Sequence, residues 1–269
     1  MTAASKKNFA DIREDYQFFA AHTTEFEQDL QSYRQVLSHF PIPEKPLKFL
    51  DFGCGTGVFT SRFLSLLHLP PQELAITLVE PDAVYRQNAV HILSAYTAAT
   101  ITDYAHLPAE TASQFHLILS NHVLYYVPDL QHTVKQLLKV VHPQGMLLIA
   151  MAGRENVISQ FWQKCFDRLG QPIPYYLAED LTACLDEYHP GYQRRKINYE
   201  VNFPDTAINR RKLLRFMLGD HLEQLPASEV LSLFDPYACK GQIQIKTSHE
   251  QFLLTSLDVL PMNTQGMIL

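Results

Sequence analysis

Residues 47–57 read L-K-F-L-D-F-G-C-G-T-G, an apolar run that ends in an acid and leads into three alternate glycines. The chain has only ten glycines in 269 residues, so this concentration marks a special backbone. A glycine turn between a strand and a helix lets the backbone approach a ligand closely, because no Cβ atom intervenes. Free N–H groups of the following helix then point toward that ligand. The stretch therefore predicts a ligand-binding turn at Gly53, Gly55 and Gly57.

Apolar runs and amphipathic stretches alternate from residue 47 to residue 151. The predicted strands are 47–52, 74–80, 99–103, 115–120 and 145–151, and the predicted helices are 57–68, 82–96 and 129–141. Nearly continuous apolar strands that alternate with helices indicate a mostly parallel sheet covered on both faces. Such sheets bind ligands at the carboxyl ends of their strands, where the strand order reverses. We therefore expect a Rossmann-like α/β fold.

The two flanks of this core show other patterns. Residues 8–40 predict two helices, with Thr23 or Thr24 as the N-cap of the second. Beyond residue 152 the pattern predicts helices at 156–169, 178–186, 206–218 and 227–234, and antiparallel strands at 196–203, 241–247 and 251–257. The sequence thus divides into an N-terminal helical lid (1–45), a cofactor-binding core (46–152), and a substrate lobe with closing antiparallel strands (153–269).

Composition excludes several classes of function. The net charge is −6 and the basic stretches at 193–196 and 209–215 are short, which argues against nucleic acid as a partner. Four scattered cysteines form no C-x-x-C pair, so neither a metal site nor a disulfide framework is expected. The first eight residues contain no apolar segment and no run approaches 18 apolar residues, which predicts neither a signal peptide nor a membrane partner. We expect a cytoplasmic protein, monomeric or dimeric.

The spacing of the glycines separates two classes of cofactor. Dinucleotide binders use G-x-G-x-x-G and hold a pyrophosphate at the helix N-terminus. Here the third glycine comes one residue early, and Val58 stands where that pattern requires glycine. Asp51, just before the turn, suits a cationic ligand better than a pyrophosphate. The stretch D-F-G-C-G-T-G (51–57) resembles motif I of the class I methyltransferases, which use S-adenosyl-L-methionine.

Later stretches resemble further motifs of that family in the same order. They are V-E-P-D (79–82), T-D-Y-A-H-L-P (102–108), F-H-L-I-L-S-N-H (115–122) and V-V-H-P-Q-G-M-L-L-I (140–149). The resemblance implies that Glu80 accepts both ribose hydroxyls, that the third-strand loop packs on the adenine, and that Asn121 lies near the methionine moiety. The predicted cofactor-binding residues are Asp51, Gly53, Gly55, Gly57, Glu80, Pro81, Asp103, Tyr104 and Asn121.

The whole chain is similar to the histamine N-methyltransferase family, with the match carried by stretches inside and outside the core. The similar stretches are F-F-A-A-H-T-T-E-F (18–26), L-Y-Y-V-P-D (124–129), F-W-Q-K-C-F (161–166), Y-Y-L-A-E-D-L-T-A-C-L (175–185), C-K-G-Q-I-Q-I (239–245) and F-L-L (252–254). The resemblance implies that Glu25 contacts the substrate amine and that Tyr125 and Tyr126 line the substrate pocket. Trp162 is predicted to close that pocket. A small-molecule methyl acceptor is therefore the expected partner.

The chain also departs from that family. His122 stands where the family has a glutamine that holds the imidazole substrate, and Thr247 or Ser248 stands in for an asparagine of the closing strands. A second pocket tryptophan has no counterpart, because Trp162 is the only tryptophan. The acceptor therefore need not be histamine.

Glu25 and His122 are the candidate catalytic residues. Glu25 would orient a cationic amine, and His122 would accept its proton or hydrogen-bond its ring. Structural alternatives are a first-turn carboxylate favoured by the helix dipole and a satisfied buried histidine. The sequence predicts an N-methyltransferase for a small amine or imidazole. The alternatives are a methyltransferase for another small metabolite at nitrogen or oxygen, and a non-catalytic regulatory module that binds the cofactor.

Overall fold

The computed structural model describes residues 11–255 except residue 110, residues 112–113 and residues 189–190. Within these residues eight strands form one sheet: β1 (Leu47–Phe52), β2 (Leu74–Val79), β3 (Thr102–Tyr104), β4 (Phe115–Asn121), β5 (Val141–Met151), β6 (Gln193–Pro204), β7 (Ala238–Cys239) and β8 (Gln242–Thr255). The α-helices are α1 (Arg13–His22), α2 (Glu25–Leu37), α3 (Val58–Ser65), α4 (Ala83–Leu93), α5 (Leu130–Val140), α6 (Val157–Arg168), α7 (Ala178–Tyr188), α8 (Ala207–Leu218) and α9 (Ala227–Leu231).

The strand order is β3-β2-β1-β4-β5-β8-β6, with β7 paired to β8. Strands β1 to β5 pair in parallel, whereas β8 runs antiparallel to both β5 and β6. This arrangement confirms the predicted Rossmann-like fold. The strand order reverses between β1 and β4, so their carboxyl ends flank the crevice where such sheets bind ligands.

Both faces of the sheet are buried. Leu50, Ile118 and Leu147 belong to one apolar cluster, whereas their chain neighbours Phe49 and Leu117 belong to the other. Successive side chains of a strand point to opposite faces, so each strand needs apolar residues at nearly every position. That requirement explains the continuous apolar runs in the sequence. The packing on both faces also holds the carboxyl ends of β1 and β4 in place.

The structure corrects two predicted strands. The runs predicted as separate strands at 241–247 and 251–257 form one continuous strand, β8, which pairs with β6 along most of its length; residues 256–257 lie outside the described residues. Its polar middle, residues 248–251, interrupts the apolar alternation, and for this reason the sequence predicts two strands instead of one. The short strand predicted at 99–103 lies slightly later, at β3, and residues 8–10 of the first predicted helix lie outside the described part.

Helix α2 packs across the carboxyl edge of the sheet. The Thr24 N–H donates to the Glu200 carbonyl and the Thr24 hydroxyl accepts from the Glu200 N–H, both at 2.9 Å. Thr24 precedes the helix, but it is the Thr23 hydroxyl that accepts from the Glu25 N–H. Further along the helix, the Tyr33 hydroxyl donates to Asn121 Oδ1 at the end of β4, 2.8 Å away. The helix therefore connects β6 with the crevice.

Among the described residues, no helix combines the length and the apolar composition that crossing a membrane requires.

Candidate active site

The three glycines of the turn have different tasks. All have positive φ, between +52° and +86°, where only glycine is free of strain. A Cβ atom on Gly53 would lie 2.4 Å from Val123, and one on Gly57 would lie 2.8 Å from the backbone of Ala89, so these two glycines allow close packing. A Cβ atom on Gly55 would have no atom within 4 Å. Gly55 therefore presents a bare backbone to open space, as a ligand cradle requires.

Asp51 lies buried beneath this turn. It is 3% exposed and accepts a hydrogen bond from the Thr60 hydroxyl of α3. Burial, which outweighs the opposing Thr60 hydrogen bond, raises the pKa of Asp51 to about 7, and the nearby Glu80 charge adds to the rise. Asp51 is thus a buried acid that ties β1 to α3.

Glu80 closes the other side of the turn. The Gly55 N–H donates to Glu80 Oε2 and the Asp82 N–H donates to Glu80 Oε1, each at 3.0 Å. Burial raises the pKa of Glu80, although these two backbone hydrogen bonds oppose the rise. The carboxylate is therefore fixed at the carboxyl end of β2, beside the bare Gly55 backbone.

Arg86 on α4 holds the carboxyl ends of β2 and β3 together. Its Nε donates to Asp103 Oδ2 at 2.9 Å, and its Nη1 donates to the Glu80 carbonyl at 2.6 Å and to the Pro81 carbonyl at 3.5 Å. Asp103 and Tyr104 end β3, and the Glu80 N–H donates to the Tyr104 carbonyl. Arg86 therefore joins the ends of β2 and β3, and the Asp103 and Tyr104 side chains stay exposed to a ligand.

Asn121 ends β4 and faces α2. Its Oδ1 accepts from the Tyr33 hydroxyl, and its Nδ2 donates to Asp29 Oδ2 at 3.2 Å. Sequence reasoning missed Asp29, which is fully buried. Its spacing of four residues from Glu25 on a predicted helix is the signal that could have found it, because that spacing places both carboxylates on one helix face.

Asp29 is the centre of the buried polar network. Its Oδ1 accepts from His249 Nε2 at 2.7 Å and from Gln251 Nε2 at 2.6 Å, while its Oδ2 lies 3.1 Å from His122 Nε2. Burial alone would raise the pKa of Asp29, but the hydrogen bonds and close approach of His249 and His122 outweigh it and lower that pKa. Asp29 is therefore an ionised carboxylate that fixes two imidazoles.

His122 follows β4 and has the left-handed backbone angle φ +57°. Strain of this kind persists where the surroundings hold a residue in place, and it occurs often at functional sites. Its Nδ1 lies 3.1 Å from the Tyr125 hydroxyl and its Nε2 lies 3.8 Å from Glu25 Oε2. Burial alone would lower the pKa of His122, but Glu25 and Asp29 raise it to about 9. The imidazole is therefore a cation at neutral pH.

The closing strand contributes His249 to the site. Thr247 uses its hydroxyl to accept from the Val157 N–H, and the Ser248 carbonyl accepts from Asn156. His249 and Gln251 share the face of Thr247, because alternate residues of a strand point to the same side, but they lie further along β8 and reach Asp29. The residues expected to replace the family asparagine, Thr247 or Ser248, therefore bind the start of α6, and His249 is the polar side chain beside Glu25.

The predicted aromatic residues form one cluster around Tyr175. The Tyr125 ring stacks beside His122, and its hydroxyl accepts from the Ala152 N–H at 2.5 Å. Trp162 lies on the other side of Tyr125, is 5% exposed, and donates its indole N–H to the Met217 carbonyl. Tyr126 packs edge-on against Tyr175. Trp162 therefore supports Tyr125 from behind, whereas Tyr125 contacts His122 directly.

These positions define two adjoining parts of one crevice. The glycine turn, Glu80 and Asp103 lie on the β1–β3 side, and Glu25, His122 and His249 lie beyond β4. Asn121 stands between them. A bare glycine backbone beside a fixed carboxylate fits a nucleoside with free ribose hydroxyls, and the buried polar cluster beyond β4 adjoins it. The fold and site together define a cofactor-dependent transferase of the class I methyltransferase type.

Comparison with known proteins agrees with this class. The family described as methyltransferase domain matches residues 22–189, so the chain belongs to the methyltransferase domain family. This membership confirms the predicted cofactor, S-adenosyl-L-methionine. A putative sarcosine dimethylglycine methyltransferase from Galdieria sulphuraria superposes with a TM-score of 0.52 at 15% identity, covering 85% of each chain. That likeness bears on the fold alone.

Two curated relatives differ in the acceptors that their names state. Malonyl-[acyl-carrier protein] O-methyltransferase of Bacteroides thetaiotaomicron is 27% identical over 158 residues, 56% of this chain and 54% of that protein. The chain therefore spans about half the length of this relative. Histamine N-methyltransferase of Bos taurus is 22% identical over 221 residues, 73% of this chain and 74% of that protein. The names of the two relatives state different acceptors, so membership of the family does not fix the acceptor.

Proposed function

We propose that this methyltransferase transfers the methyl group of S-adenosylmethionine to a nitrogen of a small amine or imidazole. The observation that carries this proposal is the pair of buried carboxylates, Glu25 and Asp29, beside His122 at the end of β4. Two carboxylates and one imidazolium leave a net negative charge in a buried site. Such a site favours a cationic acceptor over a neutral or anionic one.

The cofactor side of the proposal rests on the turn. Gly55 would allow close approach of the nucleoside, and Glu80 has carboxylate lone pairs for the ribose hydroxyls. Asp103 and Tyr104 would border the adenine, while Asn121 would contact the methionine moiety. When bound, S-adenosylmethionine supplies an electrophilic methyl group on a sulfonium sulfur, a good leaving group. The protein's main task is then to hold the acceptor nitrogen in line with that methyl.

The acceptor side follows from Glu25, His122 and Tyr125. Glu25 would pair with the cationic part of the acceptor and set its orientation. His122 is protonated and shares both ring nitrogens with Asp29 and Tyr125, so it would help to hold the pocket in shape rather than accept the proton of the acceptor. The faces of Tyr125 and Tyr126 would attract a cation. We also propose that the acceptor is a free small molecule and that the protein acts in the cytoplasm. The four cysteines are free, which is compatible with a reducing compartment.

Label transfer from methyl-labelled cofactor to a panel of amines, imidazoles, phenols and carboxylates tests the proposal. Transfer to amines or imidazoles is expected. Glu25→Gln should raise the acceptor KM while leaving the cofactor dissociation constant nearly unchanged. Glu27→Gln is the matched control, because Glu27 lies on the same helix but is exposed and paired with Arg62. Transfer to oxygen acceptors alone would refute the proposal.

The second candidate is a methyltransferase for an oxygen acceptor, and the relative named an O-methyltransferase favours it. The same panel separates the two candidates. A protein that binds the cofactor but methylates none of the panel would instead favour the regulatory module.

A further inference from the structure

One nitrogen of the buried network has no partner. His249 Nδ1 is inaccessible to solvent and forms no hydrogen bond with any described residue. Its ring partner Nε2 lies 2.7 Å from Asp29 Oδ1, and an ionised carboxylate can only accept. Nε2 therefore carries a proton, and in the neutral imidazole Nδ1 keeps a free lone pair. A buried polar atom without a partner destabilises the fold, so such atoms are rare and often mark a functional role.

The free lone pair faces a second acceptor. His249 Nδ1 lies 3.8 Å from Glu25 Oε1, too far for a hydrogen bond between the two groups. Two acceptors at this separation are complemented by a group that donates to both, and a nitrogen with two N–H bonds does so. The site therefore has the chemistry of a receptor for a primary or secondary ammonium group.

The charged and titratable groups around His249 support this assignment. Asp29 and Glu25 face it from α2, His122 faces it from the end of β4 with ring centroids 4.6 Å apart, and the Tyr199 ring faces it from β6 at 5.4 Å. His122 is protonated and donates to Asp29, whereas the Tyr199 hydroxyl binds Asn156 Nδ2. His249 is thus the imidazole of this cluster with an unused lone pair.

We propose that His249 Nδ1 accepts the proton of the acceptor ammonium before methyl transfer, and that Asp29 is the positioning residue that sets its tautomer. This inference rests on the proposed function. The N–H bond of the ammonium breaks and its proton moves to Nδ1. The freed nitrogen lone pair then forms the N–C bond as the C–S bond of the sulfonium breaks, and the bonding electron pair goes to sulfur. The acceptor is therefore a primary or secondary amine.

A metal ion is the competing occupant. Glu25, His122 and His249 each offer a ligand atom within 4.8 Å of the others. A histidine nitrogen must be deprotonated to bind a metal. His122 Nε2 instead donates a hydrogen bond to Asp29, and the raised pKa of His122 opposes its deprotonation. The hydrogen bonds therefore favour an N–H donor between Glu25 and His249.

The test is the pH dependence of kcat/KM for the best amine of the panel. In the unmodified enzyme, kcat/KM should reach a plateau near neutral pH, because the ammonium form binds and His249 removes its proton. His249→Gln should lower kcat/KM about 10²- to 10⁴-fold near pH 7. In that variant kcat/KM should instead climb tenfold per pH unit up to the pKa of the free amine, since only neutral amine can react. If kcat/KM of His249→Gln were lower but had the same pH dependence as in the unmodified enzyme, the proposal would be overturned.

His116→Gln is the matched control. His116 is equally buried at the other end of β4, where its Nδ1 accepts from the Lys48 N–H and its Nε2 faces Glu44. This variant should keep the profile of the unmodified enzyme. Cofactor affinity measured by calorimetry checks that each variant is folded. Loss of activity with EDTA and recovery with stoichiometric Zn²⁺ would make His249 a metal ligand and overturn the proposal.

A second measurement needs no acceptor. Nitrogen-15 spectra of the unmodified protein at neutral pH should show His249 protonated at Nε2 only, with His249→Gln used for assignment. Protonation at Nδ1, alone or together with Nε2, would overturn the inference. Transfer to hydroxyl acceptors alone would refute the proposed function, whereas an unchanged pH profile with a methylated amine would refute only the role of His249.

Discussion

The amide of Asn121 donates to the carboxylate of Asp29 across 3.2 Å, and this hydrogen bond joins the two halves of the site. Asn121 ends β4 on the side of the glycine turn, whereas Asp29 fixes His122 and His249 in the proposed acceptor pocket. Through Tyr33 the same network reaches further along α2. The geometry of one half therefore depends on the other.

Asp29→Asn should destabilise the fold and loosen both imidazoles. The substitution removes the charge that the two histidines complement, and breaking a buried charged pair in this way costs about 3 kcal/mol. Urea unfolding at pH 7 measures the loss. Glu27→Gln, an exposed change on the same helix, should alter the free energy of unfolding by less than about 0.5 kcal/mol. Equal stability of the two variants would contradict the central role of Asp29.

The stability of the protein should fall as pH rises through the pKa of His122. That pKa is about 9 in the folded protein, whereas the ordinary value for a histidine side chain is 6.5. Protonated His122 contributes its full stabilisation of the fold below pH 6.5, and this contribution is lost as the pH rises through 9. The loss is about 3 kcal/mol between these values. His122→Gln should flatten the stability profile over this range; a profile of the same slope in the variant would show that another group titrates.

Asp51→Asn should stabilise the ligand-free protein at alkaline pH. Burial raises the folded pKa of Asp51 to about 7, so its favourable neutral form is fully present below its ordinary pKa of 3.8 and lost as pH rises through 7. The asparagine cannot ionise and should be more stable at pH 8 by up to about 4 kcal/mol, with little difference near pH 4. Unfolding in urea at several pH values gives the comparison. Asp167→Asn on the exposed side of α6 is the control, and a difference that does not vary with pH would count against the raised pKa.

Gly55→Ala should weaken cofactor binding more than it weakens the fold. The new methyl group would occupy the open space above the turn, and the positive φ adds about 1 kcal/mol of strain. Calorimetry should show at least about a tenfold loss in S-adenosylmethionine affinity, equivalent to about 1.4 kcal/mol. Gly170→Ala is the matched control, since Gly170 has φ +63° and equally open surroundings at the end of α6. Equal affinity losses in the two variants would show that Gly55 does not face the cofactor.

The sequence was sufficient for the parallel core because burial on both faces requires apolar residues at nearly every strand position. The glycine turn and Glu80 were also recognisable, since strand ends and turns are local features. His249 was not, because it meets Asp29 only through a contact between residues 220 positions apart. The polar residues in the middle of β8 also interrupt its apolar alternation. The wrong prediction of two strands and the missed histidine therefore have the same cause, because the middle of β8 faces the site.

A structure with bound S-adenosylhomocysteine would show whether the glycine turn and the buried polar cluster form one site. We expect the ribose hydroxyls on Glu80, the backbone of Gly55 against the nucleoside, and a sulfur atom whose open side faces Glu25, His122 and His249. Nucleoside bound away from the glycine turn, or a sulfur atom that faces away from those three side chains, would contradict this expectation.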